Sequence, residues 1–530
     1  MLQQPVGGQG PWRRVHWIVI AAILVLSGSL GWWMREPDVG IGGDEITYIT
    51  LSHSLARGHY RDEFLRGTPP HAKYPPGTAL WIAGIRQLAG PDVDAIRAAN
   101  LLLLGLTALL LGDAVRRLVG PVGGVAGVAV TALSAPLLDI SGTALSEPLF
   151  VCLLVLAFWA ALVADDNGVP RRSVVSFAAG LAAFLTRTAG FTVVAGLVVW
   201  LLARKRWRAA AVALLASALV IGGWVAYSAH TAARTPLSST YLDNLRQLDA
   251  VSSGARGGLV AQMSRNARAY YQILFGLLGV PTVAGTWVDN VIWVAGLGSC
   301  GVVGLAALVR RWTGVAVHLV LAVGLLLLWP WPLDRLLLPL LPLLLVTLLV
   351  GAWSLTRRFG PRVQDVTLGL LIVPLALTGL VARLTHDTNH RCDHQDPYSD
   401  PRCFSAGARD LVAAARLVRD SSGSNAVVAT GLTATVFYFS GHPTLPLYSV
   451  PWPQTTADSL ELPTRGADLL LLTTLLSRDR RTARALLPGC DRFAVNWRSP
   501  PSTLILSQRR LGSGGDACDA LRRFLQEPVA

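Results

Sequence analysis

The sequence predicts a polytopic α-helical membrane protein that carries a small α/β domain at its carboxyl end. Of its 530 residues, 52% are hydrophobic and 15% are charged, which is too apolar for a soluble protein of this length. Apolar runs of roughly 20 residues, enough for a helix to cross a hydrocarbon core of about 30 Å, recur through residues 1–385. Residues 386–530 have mixed polarity instead and contain four of the six cysteines.

We predict eleven transmembrane helices from these runs, because the runs lack the two-residue alternation of barrel strands. Their approximate ranges are 15–34, 96–116, 121–139, 145–164, 173–187, 189–203, 209–229, 288–309, 314–332, 335–355 and 365–384. The first run resembles a signal peptide, but no convincing small-residue cleavage site follows it, so we expect it to be retained. The two short spans beside Arg187 could instead form one kinked or re-entrant unit.

Basic clusters in alternate loops predict the orientation, because short cytoplasmic loops are rich in Arg and Lys. The six predicted cytoplasmic clusters are Arg13-Arg14, Arg116-Arg117, Arg171-Arg172, Arg204-Lys205-Arg206 with Arg208, Arg310-Arg311, and Arg357-Arg358 with Arg362. An odd number of spans then places the amino terminus inside and the carboxyl terminus outside. The net charge of +14 is dispersed among such clusters, as expected beside anionic lipid, and does not indicate nucleic-acid binding. The preference for Arg over Lys is typical of a GC-rich bacterial genome, hence of a plasma membrane.

Residues 386–530 are predicted to form an extracytoplasmic α/β domain, separate from a transmembrane module at 1–385. Helical stretches near 405–419, 455–461, 477–487 and 515–526 alternate with strand-like runs at 426–430, 468–472, 493–497 and 503–507. Four cysteines in an oxidising compartment could form two disulfides. Among the three possible connectivities we favour Cys392–Cys403 with Cys490–Cys518.

The first outer loop, residues 35–95, contains the residues best suited to chemistry. Asp44 and Glu45 are adjacent at the start of a predicted helix that runs to Leu55, and Asp44 alone could simply cap it. Polar and aromatic residues crowd the segment that follows: His53, Arg57, His59, Tyr60, Arg61, His71, Lys73 and Tyr74. The pair Pro75-Pro76 then breaks the chain before an amphipathic helix at 78–89, too short to span and predicted to lie on the outer surface.

The order of these motifs resembles the C-type membrane glycosyltransferases that use polyprenyl-phosphate sugars, such as protein O-mannosyltransferases and the aminoarabinose transferases of lipid A. The resemblance covers roughly residues 15–355. Its motifs are Asp-Glu-x-x-Tyr at 44–48, Leu-Ala-Arg-Gly-His-Tyr at 55–60, Lys-Tyr-Pro-Pro-Gly at 73–77, Ser-Glu-Pro-Leu-Phe at 146–150, Leu-Thr-Arg-Thr-Ala-Gly at 185–190 and Arg-Leu-Leu-Leu-Pro at 335–339. Thr47 stands where some relatives carry a basic residue.

The resemblance implies transfer of a monosaccharide from a polyprenyl-phosphate carrier to a hydroxyl acceptor, with Asp44 as general base and Glu45 beside it in the catalytic pair. A hydroxyl must lose its proton as it attacks the anomeric carbon, and a positioned carboxylate can accept that proton. One base and a phosphate leaving group predict inversion, unlike the two-carboxylate scheme of retaining hydrolases. Residues expected to contact the donor phosphate or the acceptor are Tyr48, Lys73, Tyr74, Glu147, Arg187 and Arg335. For the cations, the alternative is contact with lipid head groups.

Glu147, at the outer mouth of the fourth span, has several possible roles. It could orient the acceptor, pair with Arg187, or hold a divalent cation with Asp44, in which case Mg²⁺ or Mn²⁺ suits carboxylate oxygens. The expected partners are a polyprenyl-phosphate-linked sugar and membrane lipid, and the acceptor could be a protein, a cell-wall polysaccharide or a glycolipid. The competing hypothesis is a lipid or sugar transporter or flippase, which predicts polar groups near the membrane midplane.

Overall fold

The computed structural model describes residues 11–36, 38–41, 44–167, 170–234, 258–278, 287–329, 332–360, 362–364, 366–369, 381, 396–423, 425–447, 466–499, 502–508 and 517–527. These residues are mostly helical, with one small sheet near the carboxyl end. The helices before residue 360 are α1 (Arg14–Trp33), α2 (Asp44–Ala56), α3 (Gly77–Ala89), α4 (Val93–Val119), α5 (Pro121–Ala132), α6 (Ala135–Ser141), α7 (Glu147–Asn167), α8 (Pro170–Thr186), α9 (Phe191–Ala203), α10 (Trp207–Arg234), α11 (Gly258–Leu277), α12 (Trp287–Arg311), α13 (Thr313–Leu328), α14 (Asp334–Leu337) and α15 (Leu341–Thr356).

Helices occupy ten of the eleven predicted spans, and the eleventh, 365–384, lies largely outside the described residues. By length and composition, five described helical segments could cross a membrane: α1, α4, α7, α10 and the segment Asp334–Phe359. Helices α5 and α6 are bent by 53° and add a sixth if they form one broken span. The polytopic helical fold is thus present, whereas the count of eleven and the orientation stay predictions.

The helices pack closely where small residues let their backbones approach. A Cβ added to Gly351 of α15 would overlap the carbonyl of Cys300 in α12, and one added to Gly304 would overlap that of Thr347. Gly196 of α9 approaches Gly314 of α13 in the same way. Such contacts suit helices in lipid, where association depends on packing because the hydrophobic effect does not drive it.

Helices α8 and α9 run antiparallel, so they are not one kinked span; two separate spans and one re-entrant unit both agree with this. A Cβ on Gly180 would lie 2.8 Å from the side chain of Leu197, so the helices run back along each other. Arg187 breaks the chain between them with extended backbone angles, φ −144° and ψ 134°, and a 3₁₀ turn at Thr188–Gly190 follows. The tight turn needs a glycine, since a Cβ on Gly190 would lie 2.5 Å from the amide of Phe184.

The first outer loop packs against this turn. Helix α3 begins at Gly77, one residue before the predicted start, and a Cβ there would lie 2.6 Å from the carbonyl of Leu185. Thr78 Oγ1 donates to the carbonyl of Thr186 at 3.4 Å. The Pro-Pro-Gly sequence therefore brings the start of α3 beside Arg187.

At the predicted cytoplasmic end, three aspartates accept from arginines of different helices. Asp113 accepts from Arg117 at 2.6 Å, and Arg117 also donates to Asp166 at 3.1 Å, which joins α4 to α7. Arg311 of α12 donates to Asp166 at 2.6 Å, and Asp165 accepts from Arg204 at 2.8 Å. This end of the module is therefore held by a network of ion pairs.

The carboxyl-terminal region contains a five-stranded sheet of order β2-β1-β3-β5-β4, in which β1, β2 and β3 are parallel and β5 is antiparallel to β3 and β4. Its elements are α16 (Ala406–Ser421), β1 (Val428–Thr430), α17 (Thr433–Ser440), β2 (Thr444–Pro446), β3 (Leu469–Thr473), α18 (Ser477–Leu486), β4 (Phe493–Ser499), β5 (Thr503–Gln508) and α19 (Ala517–Gln526). Leu469 and Leu471 face α16, whereas Leu470 and Leu472 face α18 and α19.

Three of the predicted helices and all four predicted strands of this region are confirmed, and the helix predicted at 455–461 lies outside the described residues. Cys490 and Cys518 form the disulfide that we favoured. The other favoured pair, Cys392–Cys403, includes a cysteine outside the described residues. The short strand β2 and helix α17 were not predicted. The three residues of β2 are too few to show a two-residue alternation, and the eight residues of α17 are too few to show a helical period.

The contact between α12 and α15 gives a first testable prediction. Gly351→Ala should destabilise the protein by about 1–3 kcal/mol, because the added methyl group meets the backbone of Cys300 and forces the helices apart. Thermal unfolding of the purified protein in detergent measures the effect. Gly324→Ala is the matched control, since a Cβ at this helical glycine meets no atom within 4 Å. Equal melting temperatures for the two variants would contradict the predicted close approach.

The disulfide gives a second prediction. Removing it with Cys490→Ser and Cys518→Ser should lower the stability of the carboxyl-terminal region by about 2–4 kcal/mol, because the bridge closes a loop of 28 residues in the unfolded chain. Amide hydrogen exchange of β3 and β5 at increasing denaturant concentration reports on this region. Reduction of the unmodified protein should reproduce the loss, and an unchanged unfolding midpoint after reduction would rule out the bridge.

Candidate active site

Asp44 lies between a tyrosine and an arginine at the start of α2. Tyr74 Oη donates to Asp44 Oδ1 at 2.6 Å, and Arg335 Nη1 donates to Asp44 Oδ2 at 2.6 Å. The side chain of Asp44 is 33% exposed and that of Arg335 is 27% exposed. The carboxylate is therefore held on both oxygens and still accessible from outside.

A second carboxylate, Glu147, lies beneath this pair and is fully buried. Arg335 Nε and Arg187 Nη1 both donate to its Oε1 atom. Arg187 also donates to Ser146 Oγ at 3.0 Å. The guanidinium of Arg335 thus bridges Asp44 and Glu147, and the predicted pairing of Glu147 with Arg187 is present.

Helix ends and breaks bring these residues together. Asp44 and Glu147 are the first residues of α2 and α7, where the helix dipole favours a negative charge. Arg187 lies in the break between α8 and α9, and Arg335 lies in the four-residue helix α14. A 3₁₀ turn at Leu338–Leu340 separates α14 from α15, so Arg335 lies at the start of the candidate span Asp334–Phe359.

The surroundings of Asp44 keep its carboxylate ionised. Burial alone would raise the pKa of Asp44, but the charges of Arg335 and Lys73 and the hydrogen bonds from Tyr74 and Arg335 outweigh it. The pKa therefore lies below the ordinary value for an aspartate. This group can accept a proton at neutral pH, because it is unprotonated there.

Glu45, predicted as the second member of the catalytic pair, has different contacts. Its Oε1 accepts from the amide of Ala144 at 2.5 Å and its Oε2 from the amide of Gly40 at 2.7 Å. Burial raises the pKa of Glu45, and these backbone hydrogen bonds only partly offset that effect. The side chain is 5% exposed. Glu45 thus ties two loops together, while its neighbour Asp44 joins the arginine cluster.

The remaining predicted residues surround Tyr74. The ring of Tyr48 lies 5.0 Å from that of Tyr74, and Lys73 Nζ lies 5.0 Å from the centre of the same ring. The structure therefore brings together Asp44, Tyr48, Lys73, Tyr74, Glu147, Arg187 and Arg335, whereas Glu45 points to the loop contacts.

A second layer that we did not predict fixes Tyr74. The amide of Tyr74 donates to His71 Nε2 at 2.8 Å, so His71 carries its proton on Nδ1, which lies 2.6 Å from Asp62 Oδ1. Tyr60 Oη donates to the carbonyl of Tyr74 at 2.8 Å. The polar crowding of residues 53–74 was a signal that they cluster, but spacing alone does not distinguish a ligand from its support.

The guanidinium of Arg335 lies between Asp44 and Glu147, the two residues expected to hold a divalent cation if one binds. A metal ion between them would have to displace that cation. Among the residues that the structure describes, no group of three or more His, Cys, Asp or Glu side chains is arranged to hold a metal ion.

Comparisons with known proteins give one family match, over part of the chain. The family model for dolichyl-phosphate-mannose-protein mannosyltransferases matches residues 73–227, which include the Lys73, Glu147 and Arg187 motifs. Curated protein sequences give no significant match. ArnT from Cupriavidus metallidurans, solved with undecaprenyl phosphate, is 14% identical with a TM-score of 0.55, over 95% of this chain and 100% of that one.

Two further solved structures share the fold. The Archaeoglobus fulgidus oligosaccharyltransferase is 11% identical with a TM-score of 0.53, over 92% of this chain and 73% of that one. The mycobacterial arabinofuranosyltransferase AftD is 15% identical with a TM-score of 0.55, over 95% of this chain and 40% of that one. The chain has the fold of these proteins, and its predicted resemblance to C-type membrane glycosyltransferases is confirmed.

Proposed function

We propose that this chain is an inverting glycosyltransferase that moves a monosaccharide from a polyprenyl-phosphate carrier to a hydroxyl acceptor. We place the reaction on the extracytoplasmic face of the plasma membrane, with residues 386–530 on the same side and the amino terminus inside. The observation that carries the proposal is the accessible, ionised carboxylate of Asp44 beside Arg335 and Lys73, with Arg187 joined to Arg335 through Glu147.

Asp44 is the proposed general base. Tyr74 occupies one lone pair of Oδ1, and Arg335 occupies one lone pair of Oδ2. Since a carboxylate has about four lone-pair sites, Asp44 can still accept a hydrogen bond on its exposed side. The acceptor hydroxyl donates its proton to Asp44 as its oxygen attacks the anomeric carbon. Glu147 is fully buried between two arginines and is unavailable as a nucleophile, which supports a single displacement with inversion.

The proposed leaving group is the polyprenyl phosphate, and its developing charge needs cations. Arg335 and Lys73 act directly on Asp44, and Arg187 lies on the far side of Glu147, which it shares with Arg335. Arginine offers donors in a geometry that matches phosphate oxygens. The fold neighbour ArnT has been solved with undecaprenyl phosphate, which supports a carrier of this class. These side chains supply the charge that a metal ion would otherwise supply, so we propose a metal-independent reaction.

The alternative of a transporter or flippase is not favoured. Transport sites use polar groups near the membrane midplane, often in broken helices. Here Asp44 and Glu147 start their helices, and Arg187 lies in a turn between two helices, so the charges gather at one end of the module. The matched family model is also that of a transferase.

Replacing the proposed base is the direct test. Asp44→Asn should lower transfer about 10²- to 10⁴-fold, because an amide cannot accept the hydroxyl proton. The measurement is transfer from a panel of synthetic polyprenyl-phosphate sugars by the protein in liposomes, with product anomers assigned by NMR. In a deletion strain, the variant should also leave the lipid-linked donor to accumulate.

Glu63→Gln is the matched control, because Glu63 lies in the same loop and pairs with the exposed Arg57 away from Asp44. Its transfer rate should equal that of the unmodified protein. Undiminished turnover by Asp44→Asn, with normal membrane insertion, would exclude Asp44 as the base. Retention of anomeric configuration would contradict the single displacement.

The charge of Arg335 predicts the pH dependence. A base works when ionised, so kcat/KM should fall as the pH drops through the pKa of Asp44, which lies below the ordinary aspartate value of about 3.9. In Arg335→Gln, burial still raises the pKa of Asp44, but the main opposing charge is gone. The acid limb of the kcat/KM profile should therefore move to higher pH. Chelators should leave the profile of the unmodified protein unchanged. An acid limb at the same pH in both proteins would contradict the assignment.

A further inference from the structure

The carboxyl-terminal region and the first outer loop form one continuous structure. Strand β2 is at the edge of the sheet, and Leu65 of the loop pairs with Thr444 as a parallel bridge. The amide of Thr444 donates to the carbonyl of Phe64 at 2.8 Å, and the amide of Arg66 donates to the carbonyl of Thr444 at 3.0 Å. The loop that carries Asp44 therefore extends the sheet by one short segment.

A second contact joins the same two parts closer to Asp44. Tyr398 Oη donates to the carbonyl of Val39 at 2.7 Å. The tyrosine is 4% exposed and Val39 is fully buried, so water does not compete for this bond. The ring of Tyr398 stacks on Phe404 at 4.7 Å and meets the edge of Phe439 at 4.9 Å, which fixes the direction of its hydroxyl group.

Hydrogen bonds continue from Val39 to the acidic pair. Arg97 Nη2 donates to the carbonyl of Asp38 at 2.8 Å, and the amide of Gly40 donates to Glu45 Oε2 at 2.7 Å. Three neighbouring backbone groups are thus held by Arg97, Tyr398 and Glu45. Since Glu45 directly follows Asp44 in the first turn of α2, a shift of segment 38–41 would move the proposed base.

We propose that Tyr398 is a positioning residue for Asp44, through which the carboxyl-terminal domain aligns the proposed base. The inference rests on the proposed function for its catalytic consequence, whereas the contact itself does not depend on it. Tyr398 touches neither substrate nor Asp44 and acts through Val39, Gly40 and Glu45. The carboxyl-terminal domain then contributes to catalysis by positioning the base.

Tyr398→Phe tests this inference, because it keeps the stacked ring and removes only the hydroxyl group. Amide hydrogen exchange of the full-length protein is the first measurement. Exchange at Gly40 should become about three- to tenfold faster, since one neighbouring hydrogen bond is lost. Exchange in β1 should not change, which shows that the domain stays folded. Asp420→Asn is the control, because Asp420 is on the same domain and its exposed side chain pairs with Arg419.

Sugar transfer is the second measurement. In the unmodified background, Tyr398→Phe should lower kcat about three- to tenfold with little change in the donor KM, because it misplaces the base without removing a donor contact. In the Asp44→Asn background, the same substitution should have no further effect on the residual rate. A role limited to folding would lower the rate equally in both backgrounds.

Three outcomes would overturn the inference. They are unchanged exchange at Gly40, an equal effect of Asp420→Asn on that exchange, and an equal loss of rate in both backgrounds. The outcomes also separate it from the proposed function. If Asp44→Asn transferred sugar normally, the assignment of the base would fail, and the exchange at Gly40 would still decide whether Tyr398 orders the segment.

Discussion

The guanidinium of Arg335 lies between two carboxylates from distant parts of the chain, Asp44 of α2 and Glu147 of α7. A fully buried glutamate is stable as an ion only when it is paired and hydrogen-bonded, and Arg335 and Arg187 meet that condition together. Arg335 also lowers the pKa of Asp44. One side chain therefore joins the buried core of the module to the accessible carboxylate on its surface, and the chemistry of the site depends on it.

Interrupted helices make this arrangement possible. A continuous helix through Arg187 would leave no extended residue to turn its side chain toward Glu147, and Gly190 supplies the tight turn that follows. Gly77 lets the start of α3 approach that turn. The backbone of the break stays hydrogen-bonded, since the amide of Arg187 donates to the carbonyl of Ala183 at 2.9 Å and the amide of Gly190 to that of Arg187 at 2.8 Å.

The sequence predicted most helices well, because long apolar runs have a strong signal whose length is set by the membrane. It also identified the residues that gather around Asp44. Placing polar residues beside lipid costs free energy, so a cluster of them indicates a functional site. Spacing could not separate Asp44 from Glu45, because adjacent residues of a helix point in different directions and only the surrounding loops decide which carboxylate each contacts. Arg97 and Tyr398 were missed for a related reason: their partners are backbone carbonyls at 38 and 39, which have no side-chain signature.

The charges around Asp44 explain why such a site would suit a phosphate carrier. The cluster contains three cations and two carboxylates, so it has one positive charge in excess. The cations are Lys73, Arg187 and Arg335, and the carboxylates are Asp44 and Glu147. A polyprenyl-phosphate sugar is a phosphodiester with one negative charge and would neutralise it. After transfer, the phosphate monoester carries about −1.5 to −2 charges at neutral pH, so the same cations would hold the product more strongly than the donor. Charge that develops on the leaving oxygen is thus met by groups already in place, which is how a fixed cluster of arginines lowers the barrier without reorganisation.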